Sequence, residues 1–69
     1  MPVPEDFARA LDAAPRARAF FDTLAPSYRR EYLEWIVEAK RPATRTKRIA
    51  TAVEWLAEGK KRNWKYESC

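Results

Sequence analysis

The chain is 69 residues long, 46% hydrophobic and 13% aromatic, with a net charge of +4 from 14 basic and 10 acidic side chains. That length holds one domain, which buries only about 60% of its unfolded surface, so every large apolar side chain counts toward closing a core. A single cysteine, Cys69, and the lack of histidine exclude an intrachain disulfide and a two-cysteine metal site, and no stretch approaches the roughly 20 apolar residues of a membrane span.

The first residues, MPVPEDFARAL, carry neither the basic start nor the long apolar run of a secretory signal, and a cytoplasmic location is expected. Proline then punctuates the chain. Pro4, Pro15, Pro26 and Pro42 each stand at the head of a helix-like pattern, where the missing amide would be unpaired in any case. The first predicted helix covers residues 4–13, with Glu5 and Asp6 placed well against the helix dipole and Phe7, Ala10, Leu11 and Ala14 on one side. The second covers 15–24 and groups Ala17, Phe20, Phe21 and Leu24 in one arc.

A third helix is predicted over 27–40 with Ser27 as its N-cap. Its acidic face is Glu31, Glu34 and Glu38, with Arg30 spaced to pair with Glu34. The fourth starts at Pro42 or Thr44 and stops near Gly59, the sole glycine and a natural left-handed terminator. No strand pattern is present. The expected fold is all-α: a small bundle of four helices, the first two short, covering residues 1–62 and followed by a basic, aromatic tail at 63–69. Its expected core is Phe7, Leu11, Phe20, Phe21, Leu24, Leu33, Ile36, Ile49, Val53 and Leu56.

Charge is distributed unevenly. Residues 1–39 hold five basic and seven acidic side chains, whereas residues 40–69 hold nine basic and three acidic. Such a cationic pole favours an anionic partner by steering, although a charged surface also serves solubility alone. Several cations fall where apolar residues are expected. At about 100° per residue, Arg29 and Lys40 lie near Ile36 in the apolar arc of the third helix. Arg45 projects from the middle of the arc formed by Ile49, Ala52 and Leu56, and Arg48 and Trp55, seven positions apart, line its edge. Each such charge must reach solvent along its own stem, pair with a carboxylate, or receive an anion. The candidate binding residues are therefore Arg29, Lys40, Arg45, Arg48 and Trp55, since guanidinium forks suit planar oxyanions and an indole can wall the site.

In the tail, Lys60, Lys61, Arg62 and Lys65 interleave with Trp64 and Tyr66. This is the composition of a segment that grips phosphates while rings stack on bases; the reading that a 69-residue domain favours is that Trp64 and Tyr66 fold back to supplement a thin core while the lysines stay solvated. Catalysis is not expected, and neither is a cofactor or metal. There is no histidine for acid–base chemistry, no glycine-rich phosphate loop, and no HExxH or CxxC pattern.

The ordered motifs PSYRREYLEWI, EAKRP, TRTKRI and AVEWLAEGK resemble the YdeI/OmpD-associated, or bacteriocin-protection, family. The resemblance spans roughly residues 5–62 and is most specific at EAKRPATR and AVEWLAEGK. It implies a loose association with resistance to bacteriocins or antimicrobial peptides, and supplies no catalytic residues or ligand. The expected function is thus a small non-enzymatic bacterial binding module that takes an anionic ligand or acidic protein partner in a basic cleft between the third and fourth helices. The alternative is nucleic-acid binding through the basic C-terminal half.

Overall fold

Proline both ends and begins the helices of this chain. The residue before a proline is pushed out of the helical region by its ring, and Ala14 (φ −130°, ψ 84°), Ala25 (φ −61°, ψ 151°) and Arg41 (φ −86°, ψ 134°) are all non-helical. Pro15, Pro26 and Pro42 each occupy the first position of the helix they begin. The computed structural model describes residues 3–60 as four helices: α1 (Glu5–Asp12), α2 (Pro15–Thr23), α3 (Pro26–Val37) and α4 (Pro42–Ala57). The described residues form no strand. The all-α architecture with two short leading helices is therefore as expected.

Two boundaries differ from the sequence reading. Ser27 does not cap α3: Pro26 already lies inside the helix, and Ala25, with no side-chain hydrogen bond, is the capping residue. Proline at the first helical position has displaced the cap. At the other end, α3 stops at Val37 rather than Lys40, because the chain must turn and extend at Arg41 before Pro42. Ala39 is buried in that turn, while Lys40 is exposed.

The longest helix, α4, packs on each of the other three, most extensively on α2. Fully buried Ala17 of α2 and Ala52 of α4 present small side chains on these two helices, and small contact residues permit short interaxial distances. Phe7 and Leu11 of α1, Phe21 and Leu24 of the α2 region, Leu33 and Ile36 of α3, and Ile49 and Leu56 of α4 complete the core as expected. Phe7 meets Phe21 edge-on, with ring centroids 5.5 Å apart at 85°. Phe20 and Val53 are only half-buried and pack against the core from its margin. In their place Tyr32 is fully buried, its ring inside and its hydroxyl donating to the Lys60 carbonyl at 2.6 Å.

That carbonyl belongs to the terminator of α4. Gly59 adopts φ +76°, its N–H donates to Leu56 O at 2.9 Å, and the Lys60 N–H donates to Trp55 O at 2.8 Å. This pair of bonds is the Schellman closure, in which a left-handed residue lets the chain satisfy the last carbonyls. A side chain at that φ costs about 1–2 kcal/mol, which is why the one glycine stands here. The Tyr32 bond then fixes the end of α4 against α3.

Candidate functional site

Arg45, in the first turn of α4, faces a carboxylate of its own chain. Its Nε donates to Asp6 Oδ2 at 2.7 Å and its Nη2 to Asp6 Oδ1 at 3.1 Å, a two-pronged pairing that joins the first turn of α1 to α4. The Phe7 N–H donates to the same Oδ1 at 2.9 Å. The Arg45 guanidinium beside Asp6 holds that carboxyl below the ordinary carboxylate range, against the opposing effect of partial burial and with help from the Phe7 amide. Asp6 in turn raises the Arg45 pKa. The sequence reading gave Asp6 only a role against the α1 dipole, because a partner 39 positions away leaves no local spacing signal.

Arg48, almost one turn further along α4, serves a different neighbour. Its Nη1 donates to the Trp35 carbonyl at 2.7 Å, and its guanidinium carbon lies 5.4 Å from the centre of the Trp35 ring. Trp35 stacks in turn on Trp55, with centroids 5.5 Å apart and planes within 8° of parallel. The Trp35 indole of α3 thus meets both Arg48 and Trp55 of α4, and cation–π attraction helps to orient the guanidinium. Arg48 and Trp55 are brought together as partners of Trp35, a residue that its apolar spacing had marked only as packing.

Arg29 lies elsewhere. With Ser27 and Arg30 it lines a cavity of about 490 Å³ at the start of α3, whose apolar wall is Val3, Phe21 and Leu33. Lys40 stands in the α3–α4 turn. The four cations singled out by periodicity are therefore spread over separate environments: Arg45 on Asp6, Arg48 on Trp35, and Arg29 and Lys40 on different surfaces. Lys60 pairs through Nζ with Glu58 Oε1 at 2.7 Å. Lys61, Arg62, Trp64, Lys65 and Tyr66 lie outside the described residues.

The ion pairs follow the uneven charge. Glu5 pairs with Arg9, and Arg18 lies between Asp12 at 3.6 Å and Asp22 at 3.4 Å. Arg30 does not pair with Glu34, although their spacing allows it; both are exposed, and such pairs gain little in water. Around the α3–α4 turn, Lys40, Arg41, Lys47 and Arg48 have no carboxylate partner among the described residues. Glu34 and Glu38 are not part of the core, but Glu31 is half-buried and its Oε2 is enclosed without a hydrogen-bond partner. Tyr28 and Trp35, three and four positions away, flank it on the helix surface.

Among the described residues no group of three acidic or sulfur ligands is placed to hold a metal ion, and no helix is long and apolar enough to cross a membrane. A family model described as bacteriocin-protection, YdeI or OmpD-associated matches residues 1–59, which include all four helices. The chain belongs to this family. No curated protein and no solved structure matches it. Within this YdeI/OmpD-associated chain, Trp35, Arg48 and Trp55 fall in three of the resembling motifs, PSYRREYLEWI, TRTKRI and AVEWLAEGK in that order.

Proposed function

We propose that this YdeI/OmpD-associated chain is a non-enzymatic binding module whose basic surface at the α3–α4 turn and the first half of α4 receives an acidic group of a partner protein. The observation that carries the reading is the set of cations left without a carboxylate there among the described residues, Lys40, Arg41, Lys47 and Arg48, on a chain whose acidic side chains lie mostly elsewhere. The helix these cations open has no acidic residue in its first turn. Positive charge near a helix N-terminus opposes the macrodipole, and an incoming anion relieves both repulsions. Arg48 is oriented before any partner arrives, because its Nη1 is anchored on Trp35 O and less ordering is left for binding to supply.

A ligand that binds only the folded state stabilises it in proportion to the logarithm of its concentration above Kd, and so raises the melting temperature. The test is thermal melting with a glutamate-rich peptide, inorganic phosphate and a single-stranded oligonucleotide. The peptide is expected to raise the melting temperature, and to do so less in a K40Q/R41Q/K47Q variant. A larger effect from the oligonucleotide, falling steeply with salt as counterion release requires, favours the nucleic-acid alternative instead. No shift with any of the three leaves the cations as a solvated surface and defeats the proposal.

A further inference from the structure

The cavity at the start of α3 combines an apolar wall with unpaired cations in one concave space. Its volume, about 490 Å³, lies inside the range of roughly 300–1,000 Å³ typical of small-molecule sites. Phe21 and Leu33 line it as nearly fully buried members of the hydrophobic core, and Val3, 37% exposed, is the one large hydrophobic side chain among the described residues that is left in solvent. Facing this wall are Arg29 and Arg30, with Ser27 beside them. No acidic residue lines the cavity, and neither arginine makes an ion pair among the described residues.

We propose that this cavity is a second binding site, for a small organic anion with an apolar body, such as a medium-chain carboxylate. The head would lie against Arg29 and Arg30 and the hydrocarbon against Val3, Phe21 and Leu33. A guanidinium presents two parallel donors that match a carboxylate, and neither Arg29 nor Arg30 has a carboxylate partner among the described residues to compete with an incoming anion. An inorganic anion uses only the charged side of the cavity, and a neutral hydrocarbon uses only the wall. An amphiphilic anion satisfies both, and covering Val3, the exposed member of the wall, removes its apolar surface from water. The site shares no residue with the α3–α4 surface, so the two proposals stand or fall separately.

Octanoate is a suitable probe, with octanol and acetate as the matched ligands lacking charge and tail. In nuclear magnetic resonance titrations, octanoate is expected to saturate and to move the signals of Val3, Phe21 and residues 27–33. Octanol is expected to bind at least about tenfold more weakly, the factor associated with losing one charge-assisted hydrogen bond, and acetate, which keeps the charge but leaves the apolar wall uncovered, is also expected to bind more weakly. R29Q/R30Q should lose octanoate by a similar factor, whereas R16Q, at an exposed arginine of α2 outside the cavity, should bind it as the unmodified chain does. The proposal is overturned if octanoate does not saturate, if octanol binds as tightly, if shifts spread over the whole molecule, or if R29Q/R30Q binds unchanged.

Discussion

Charge does different work in the two halves of this molecule. In α1 and α2 the carboxylates engage nearby arginines, Glu5 with Arg9 and Asp12 and Asp22 with Arg18, so the first half is largely self-neutralised on its own surface. Among the described residues of α3 and α4, the one ion pair made by a helix residue is that of Arg45, and it reaches across to Asp6 of the first half. The cations at the start of α4 otherwise lie over an indole or stand apart from carboxylates. The difference teaches that positive charge is not used evenly over the described residues: Arg45 and Arg48 are engaged by the fold, whereas Lys40, Arg41 and Lys47 beside them have no carboxylate partner.

Charge alone distinguishes the halves only if they share one core, and the largest predicted effect tests that. Phe7 is fully buried and meets Phe21 edge-on, so Phe7→Ala should cost about 3–5 kcal/mol, enough to unfold much of a domain this small. Tryptophan fluorescence in a Trp64→Phe background, where Trp35 of α3 and Trp55 of α4 are the remaining indoles, should lose its transition together with the helical circular dichroism of all four helices. Persistence of the tryptophan transition alone would show that the halves fold independently.

A smaller effect is expected where α3 holds the end of α4. Tyr32→Phe removes the hydroxyl that donates to Lys60 O while keeping the ring, and should cost about 1 kcal/mol in a urea titration. No change would mean that the Schellman closure at Gly59 stands without that bond.

The Asp6–Arg45 pair, the link between the halves, makes the smallest contribution and the one with a pH signature. Because the Asp6 pKa is lowered in the folded state, its stabilising effect is present above the ordinary value of 3.8 and fades as pH falls through the lower folded value. Asp6→Asn should therefore melt below the unmodified chain near neutrality, and the two should converge in acid. Curves separated by the same interval at every pH would remove the ionised pair from the account.

These elements differ in how far the sequence disclosed them. The four helices were legible because proline acts locally, on its own φ and on the residue before it, and the apolar periodicity agreed with it. Gly59 was legible for the same reason. Phe20 and Val53 fell to the margin of the core because periodicity gives a face and not a depth, while Tyr32 went to the centre because its polar end found Lys60 O, 28 residues away. The same limit applies to the candidate site. Periodicity identified Arg45 and Arg48 as cations in unusual places, but Asp6 and the Trp35 carbonyl are long-range partners that spacing along one helix cannot name. Arg29 and Arg45 share a helical phase with apolar residues on different helices, and the packing of α3 on α4 separates them.

The most direct test of the unequal use of charge is a residue-resolved titration with a glutamate-rich peptide, monitored by nuclear magnetic resonance in the unmodified chain and in K40Q/R41Q/K47Q. The predicted result is saturable shifts confined to the α3–α4 turn, the first half of α4 and the indoles of Trp35 and Trp55. The variant should lose them while melting no lower than the original, since these cations stabilise nothing in the fold. Shifts centred on α1 and α2, or a variant that binds as before or melts markedly lower, would contradict the account.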